Sequence, residues 1–148
     1  MRWQKFTALI VFAFAVCANA ESAKVIKVLP QFLDLKGRTS VSPSLFDRDA
    51  YQEEMRAGKT NRSALRFNVQ WKARGYDALT LRIESKSMKG KEPTNRTDEL
   101  PIKPGLFGQW TALTIAGDDY KNFGELISWR ATLLNGTNVV AEQKSFLW

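Results

Sequence analysis

Three stretches of this chain alternate apolar and polar residues one by one, and this pattern constrains the fold more than any other feature of the sequence. The stretches are Leu65 to Lys72, Leu79 to Glu84 and Glu125 to Leu134. A period of two is typical of a β-strand that buries one side and exposes the other. The first two stretches predict an antiparallel pair with its apolar side turned inward. The residues expected to face the interior are Leu65, Phe67, Val69, Trp71, Leu79, Leu81, Ile83, Ile127, Trp129, Ala131 and Leu133.

Further strands are predicted on both sides of these stretches. Lys24 to Lys36 is rich in branched apolar residues but contains Pro30, which favours an edge strand or two short strands because proline cannot donate a ladder hydrogen bond. Trp110 to Ala116 predicts another strand. The region from Ser85 to Leu106 contains prolines, glycines and charges, and it predicts a long loop with one short strand near residues 99–103.

One short helix is predicted near residues 45–57. It follows Ser42-Pro43, consists of good helix formers and ends at Gly58. Its expected apolar stripe is formed by Phe46, Ala50, Tyr51 and Met55. We expect this helix to lie across one end or one open edge of the sheet structure, because a covered edge cannot pair with another chain.

The last part of the chain predicts a hairpin followed by a docked terminus. Asn135-Gly136 favours a turn because both residues tolerate positive φ. A two-residue turn there would set Trp129 opposite Glu142, so a longer loop or a bulge is favoured. That register sets the inward side opposite Val139, Ala141, Gln143, Ser145 and Leu147. The apolar ending Phe146-Leu147-Trp148 predicts that the final strand is tied into the sheet.

The first twenty residues predict a secretory signal peptide. Arg2 and Lys5 precede an apolar run from Phe6 to Cys17, and Ala18-Asn19-Ala20 is a small-x-small cleavage site. A transmembrane anchor is the first alternative, but a spanning helix needs roughly 20 apolar residues. Lipidation of Cys17 is the second, although no small residue precedes that cysteine. The expected division is therefore 1–20 signal peptide and 21–148 a single β-sandwich domain, in the periplasm or outside the cell.

Cleavage would leave a chain that contains neither cysteine nor histidine. Cys17 is the only cysteine and the sequence has no histidine, so the mature domain is expected to be disulfide-free. Histidine-based acid–base catalysis, Ser-His-Asp triads, thiol nucleophiles and ordinary zinc sites are excluded from such a domain. The formal charge of +7 would fall to +5, because the leader holds two basic residues and no acidic one.

Carboxylates offer the remaining catalytic or metal-binding chemistry. All the candidate carboxylates are expected to lie in turns. Candidates for a glycosidase-like pair are Asp77, Glu92, Asp98, Glu99, Asp118 and Asp119. Asp118-Asp119 could contribute to a Ca²⁺ site, or they could cap a short helical turn. Three Asn-x-Ser/Thr sequons begin at Asn61, Asn95 and Asn135, where ordinary turn residues are the alternative to glycosylation.

Aromatic residues near strand ends are the predicted ligand-binding candidates. Tyr76, Phe107 and Trp110 could stack on sugar rings if they are exposed on one face, whereas Trp71 and Trp129 are expected in the core. The basic residues are spread along the sequence, and their densest group, around Gly90, predicts a solvated loop. No nucleic-acid motif accompanies them.

Several runs resemble small exported bacterial proteins that carry no assigned activity. The runs are Lys27 to Gly37, Ser42 to Leu45, Asp49 to Tyr51 and Ala141 to Trp148. The strand pattern also resembles immunoglobulin-like and fibronectin type III-like domains, although the Cys…Trp…Cys framework is missing. Tyr120 stands where a tyrosine corner could be, but the segment after it is longer than that motif has. The resemblance implies a mostly β fold and no site residues.

The sequence thus predicts a mostly β protein, a single antiparallel immunoglobulin-like β-sandwich with one short helix. The expected function is that of an exported, non-enzymatic module that contacts an envelope or extracellular protein, without a cofactor or metal. A carbohydrate-binding module is the alternative. Nucleic acid is not an expected partner, and no membrane span is expected after cleavage.

Overall fold

The computed structural model describes residues 20–148, apart from the side chain of Lys59. Most of the predicted signal peptide lies outside these residues, so its cleavage stays a prediction. Across the described range the chain forms seven strands and two α-helices. They are β1 (Ser22–Asp34), α1 (Leu45–Ala57), β2 (Arg62–Arg74), β3 (Leu79–Lys89), β4 (Glu92–Ile102), β5 (Gln109–Ala116), α2 (Gly117–Phe123), β6 (Glu125–Asn135) and β7 (Asn138–Lys144). A 3₁₀ turn, Lys59–Asn61, connects α1 to β2.

The strands form two antiparallel sheets, and the predicted β-sandwich is confirmed. Sheet A has the order β1-β2-β5, and sheet B has the order β4-β3-β6-β7. Strand β1, the edge of sheet A opposite β5, lies against β7 and β6 of sheet B. The connection from β4 to β5 therefore crosses between the two sheets.

The core lies between the sheets, where the alternating residues of β2 and β3 meet. Phe67 and Val69 of β2, and Leu81 and Ile83 of β3, are completely buried. The residues between them on each strand are only half buried, which confirms the predicted inward side of both strands. The predicted antiparallel pairing of these two strands is wrong, because β2 belongs to sheet A and β3 to sheet B, so they face each other across the core. Burial of large apolar side chains at about 1.5–3 kcal/mol each is the main stabilising contribution in such a core.

The predicted inward side of β6 is correct for Ala131 and Leu133 but wrong for Ile127, which is 47% exposed. In the pairing of β3 with β6, Lys86 lies opposite Ser128 and Ser87 lies opposite Leu126, so Ile127 is an extra residue without a partner. Such a bulge reverses the side-chain alternation beyond it. Leu126 consequently packs against the core in place of Ile127, and Trp129 keeps the inward side but is only half buried.

The long loop predicted from Ser85 to Leu106 is also wrong, because β3 and β4 form a long hairpin there. The turn is Gly90-Lys91, and Gly90 has a φ of 65°. Pro93 and Pro101 lie within β4, which is an edge strand of sheet B. A proline on an edge strand can keep its missing N–H on the unpaired side, so these residues permit a strand at this edge only.

The terminal hairpin contains the predicted bulge. The irregularity falls between Leu133 and Leu134, and it sets Leu133 opposite Ala141 as predicted. The predicted inward position of Val139 is wrong, because this residue lies opposite Leu134 and is 60% exposed. The turn itself is Gly136-Thr137, so Asn135 closes the hairpin from within β6.

The prediction of a docked terminus is wrong for two of its three residues. Strand β7 ends at Lys144, and Phe146 and Leu147 are 101% and 67% exposed. The final pairing is made by Ser145, whose backbone N–H donates to the Trp129 carbonyl at 2.9 Å. Trp148 folds back onto the outside of sheet B, where the ammonium of Lys86 lies 4.2 Å from its ring centre.

Helix α1 covers the free edge of β1, as predicted, but with a different side. Its buried residues are Gln52 and Met55, whereas Phe46 is 82% exposed and Ala50 is exposed too. The Gln52 amide donates to the Phe32 carbonyl at 2.9 Å and accepts from the Phe32 N–H at 2.8 Å. A polar side chain therefore replaces the strand that β1 lacks on this side. The helix begins after the cap Ser44, not at Ser42.

Candidate functional site

The outer side of sheet A carries basic side chains and no acidic ones. Because Val25 of β1 and Trp71 of β2 pair and point into the core, the neighbouring pair Lys24 and Lys72 points outward. Outward positions on the three strands include Lys24, Lys27, Arg66, Lys72 and Arg74, and we call this surface the basic face. Asp34 is the one acidic residue within the three strands, and it lies buried at the far end of β1.

Sequence reasoning missed this surface, since it treated the basic residues as spread along the chain. The antiparallel pairing of β1 with β2 brings Lys24 next to Lys72, and Ser22 next to Arg74. Both strands were predicted, and the outward positions of β2 were identified. Only the register between them was missing.

The basic cations of this face have no carboxylate partners. Within residues 20–148 none of the five forms an ion pair. On the outer side of sheet B, in contrast, Arg82 pairs with Glu99 at 2.6 Å. Arg130 likewise pairs with Glu84 at 2.7 Å. The two sides of the sandwich therefore differ in how completely their charge is neutralised.

Large apolar residues border one end of the basic face. Trp110 on β5 is 53% exposed, and its neighbour on β2 is Gln70. Phe107 and Leu106, in the loop that precedes β5, are 82% and 85% exposed. Two of these three residues, Phe107 and Trp110, are among the ligand-binding candidates predicted from the sequence.

A groove of about 520 Å³ lies between this loop and the strands. It is lined by Phe107 and Leu106 on one side and by Lys24, Lys72 and Arg74 on the other. Tyr76, the third predicted aromatic residue, is half buried and packs against the core. It lines an adjoining depression of about 710 Å³ that shares Arg74 and Leu106 with the groove. The three predicted aromatic residues thus lie near one end of the molecule without sharing one cavity.

A second polar cluster surrounds Asp34, at the other end of β1. The Asp34 carboxylate accepts hydrogen bonds from the Tyr51 hydroxyl at 2.8 Å and from the Arg38 guanidinium at 2.9 Å. It also accepts from the backbone N–H groups of Lys36 and Arg38. The backbone N–H of Arg38, with its guanidinium and the Tyr51 hydroxyl, holds the pKa of Asp34 far below its usual range. The hydrogen bond to Asp34 raises the pKa of Tyr51 in turn. Lys36 and Arg38 lie in the connection between β1 and α1, and Tyr51 lies in α1, so the cluster fixes that connection against the helix.

A partly buried ion pair joins the two sheets near the same end. Arg62, the first residue of β2, donates to Glu125, the first residue of β6, at 2.8 Å. Its guanidinium also lies 4.3 Å from the centre of the Phe32 ring. Tyr120 lies close by, and burial raises the pKa of its hydroxyl.

The carboxylates considered for catalysis or calcium mostly pair with basic side chains. Asp98 and Asp119 both pair with Arg96, at 2.7 and 3.0 Å, and the hydrogen bond that Arg96 donates to Asp98 is the main cause that raises the pKa of Arg96. Asp118 pairs with Lys121 at 3.1 Å. Across residues 20–148 no three acidic side chains converge in a way that could hold a metal ion. Their arrangement fits ion pairs on the surface.

Comparison with known proteins supports the fold alone. No family model matches the chain, and no curated protein does. A crystal structure of a protein from Akkermansia muciniphila is similar with a TM-score of 0.58 and 10% sequence identity, over 87% of this chain and 72% of that one. A β-glucosidase from Kluyveromyces marxianus aligns with a TM-score of 0.33 and 8% identity, over 86% of this chain and 14% of the enzyme. The helices in the described residues are too short or too polar to cross a membrane.

Proposed function

We propose that this protein is an exported, non-enzymatic binding module that contacts an acidic protein partner, in the periplasm or outside the cell, through its basic face. The carrying observation is the set of five unpaired outward cations on an acid-free surface. Trp110 and Phe107 are exposed where they border the basic face, and they supply large apolar side chains of the kind that contribute most to protein interfaces.

The strand order supports an immunoglobulin-like assignment of this module. Strands β1, β2 and β5 share one sheet, and β3, β6 and β7 share the other. Strands A, B, E and C, F, G divide in the same way in immunoglobulin domains. Many domains of this architecture act by binding and carry their contacts on a sheet face or on loops.

An acidic partner follows from the electrostatics of the face. Cations that are already paired gain little from a new carboxylate, whereas unpaired ones attract it over a Debye length of about 8 Å at physiological salt. Such a face speeds up association and disfavours basic partners. Binding through it should weaken as salt rises.

The test is retention of envelope or extracellular proteins on immobilised residues 21–148 and on two double variants. Lys72→Glu/Arg74→Glu reverses two charges of the basic face, and Lys89→Glu/Lys91→Glu reverses two in or beside the β3–β4 turn. We expect a protein that the wild type and the turn variant retain, that the face variant loses, and that salt elutes. Retention that is equal on all three surfaces would contradict the proposal.

A carbohydrate-binding module is the second candidate, and the exposure of Phe107 and Trp110 beside the groove favours it. Aromatic rings at such a border can stack on pyranose rings. Intrinsic tryptophan fluorescence during titration with neutral oligosaccharides tests it. A response that disappears in Trp110→Ala and does not depend on salt would favour sugar over an acidic protein.

A further inference from the structure

Strand β5 is an edge strand that lacks the usual protection against pairing. It is the outer strand of sheet A, with β2 as its hydrogen-bonded neighbour on one side. Its eight residues, Gln109 to Ala116, include no charged residue and no proline. Exposed edges of natural sheets generally carry lysine, proline, bulges or a covering element, because a bare edge offers free N–H and C=O groups to another strand.

The other edges of the same molecule have these protections. The Gln52 side chain of α1 occupies the free N–H and C=O of Phe32 on β1. Strand β4 contains Pro93 and Pro101 together with several charged residues. Strand β7 contains Glu142 and Lys144 and lies beside β1. The difference at β5 is therefore local to one strand.

The side chains of β5 leave room for an additional strand. Trp110, Ala112, Thr114 and Ala116 alternate outward and are exposed. Leu113 points inward, yet it is only half buried and packs at the margin of the core. An apolar side chain of an added strand would cover the exposed part of Leu113.

We propose that β5 accepts an extended acidic segment of the partner protein as a fourth strand of sheet A. This inference rests on the proposed function and names the form in which the partner binds. An added strand lies about 4.8 Å from β5, so its outward side chains come within about 10 Å of Arg66, which pairs with Thr114 of β5. A segment that continues past Gln109 also approaches Lys72, the residue after the last β2–β5 pair. Acidic residues at alternate positions then face the basic face, and apolar residues between them face Leu113.

Charge argues against a second copy of this chain as the occupant. Pairing of β5 with β5 would join two sheets A into one and extend one basic face directly into the other. The unpaired cations would then repel one another across the new pair. An acidic strand meets the same cations with attraction, which is why we commit to it.

The test uses a synthetic ten-residue peptide of alternating glutamate and valine, with its affinity measured by titration calorimetry. Two further peptides carry N-methyl groups on all glutamates or on all valines, and each therefore loses the backbone N–H donors along one strand edge. We expect one methylated peptide to bind at least about tenfold more weakly than the parent, since it loses several hydrogen bonds, and the other to bind nearly as well. Hydrogen exchange should slow at β5 when the parent peptide binds.

Matched protein variants complete the test. Thr114→Glu places a like charge on the exposed side of β5, and Thr97→Glu places one on the edge strand β4, where Thr97 is also exposed. We expect the parent peptide to lose about tenfold in affinity for Thr114→Glu and to keep its affinity for Thr97→Glu.

The outcomes separate this inference from the proposed function. Equal binding of both methylated peptides, or the absence of any peptide binding at millimolar concentration, overturns strand addition and leaves the basic face untouched. Equal binding of a lysine–valine peptide overturns the acidic character of the segment. A wild-type protein that sediments as a dimer, together with a Thr114→Glu variant that sediments as a monomer, would show that a second copy occupies β5. That result would also overturn the proposal of an acidic segment. The proposed function itself fails only if Lys72→Glu/Arg74→Glu leaves partner retention unchanged.

Discussion

Asp34 accepts four hydrogen bonds from three residues, and this concentration of donors is suited to a carboxylate that stays ionised. The donors are the hydroxyl of Tyr51, the side chain and backbone of Arg38, and the backbone of Lys36. All of them favour the ionised carboxylate, which lowers its pKa in the folded protein. The stability that Asp34 contributes must therefore depend on pH.

We predict that the contribution of Asp34 is complete at neutral pH and is lost in acid. The pKa is lower in the folded state than the value of about 3.9 expected for the unfolded chain. The unfolded state therefore takes up the proton first as the pH falls, and acid favours unfolding. Urea unfolding of wild type and Asp34→Asn should differ most above about pH 5, and the difference should shrink below about pH 4. A difference that is the same at pH 7 and pH 3 would contradict this, and Asp49→Asn, whose carboxylate is 75% exposed, is the control.

Three buried serines of sheet B provide a second test at the residue scale. The Ser87 hydroxyl donates to the carbonyl of Phe123, whereas the Ser85 and Ser128 hydroxyls have no hydrogen-bond partner among the described residues. We expect Ser87→Ala to lower the free energy of unfolding by about 1–2 kcal/mol, because it leaves a buried carbonyl with one bond fewer. Ser85→Ala and Ser128→Ala should leave it unchanged or raise it by up to about 1 kcal/mol. Thermal or urea unfolding measures all three, and equal losses would contradict the assignment of partners.

At the scale of elements, α1 stabilises the fold by replacing a missing strand. Its Gln52 side chain bonds to both backbone groups of Phe32 and to the carbonyl of Thr39 at 2.8 Å. These bonds are buried or partly buried, so water cannot readily replace them. The edge of β1 is thereby closed by one residue.

We predict that Gln52→Ala destabilises the protein by about 2–3 kcal/mol and speeds up hydrogen exchange at Phe32. The substitution removes three hydrogen bonds and leaves the N–H and C=O of Phe32 without a protein partner. Glu53→Ala, on the exposed side of the same helix, should cost less than about 0.5 kcal/mol. The prediction fails if exchange at Phe32 is the same in both variants.

The elements that sequence reasoning predicted well are those buried on one side along their whole length. Strands β2 and β3 alternate without interruption, so their inward residues followed from periodicity.

Strand β4 was missed because an edge strand tolerates prolines that a central strand excludes. The predicted apolar stripe of α1 was wrong because Gln52, and not Phe46, makes the buried contact of the helix with β1. A pattern of apolar residues cannot indicate a polar side chain that hydrogen-bonds to the backbone of an edge strand. The inward position predicted for Ile127 was wrong because the bulge at this residue reverses the direction of the side chains.

The candidate site was predicted only in part. Phe107 and Trp110 were named as candidates from their places near strand ends, but their exposure was left open, and only the structure shows it. The basic face did not follow, because Lys24 and Lys72 become neighbours only through the register of β1 with β2. Periodicity tells which way a side chain points, and it does not tell which distant residue will lie next to it.

At the scale of the whole molecule, the two outer surfaces differ in charge neutralisation, and chromatography can detect the difference. Lys24→Gln/Lys72→Gln and Lys89→Gln/Lys91→Gln remove the same formal charge. We expect the first pair to elute from a cation exchanger at distinctly lower salt, because its lysines belong to a cluster of unpaired cations. The measured quantity is the elution salt, and equal elution of the two variants would contradict the asymmetry.

The contact of β1 with β7 also determines when the sandwich can close. These are the first and the last of the seven described strands, so β1 lies against strands that are synthesised after all the others. A nascent chain that grows from its amino terminus can form the β1–β2 pair early, but it cannot seal that flank before β7 has been made. Contacts between residues so far apart in sequence make folding slow. Native structure of this domain should therefore be completed only after β7 has been synthesised, in one late and cooperative step.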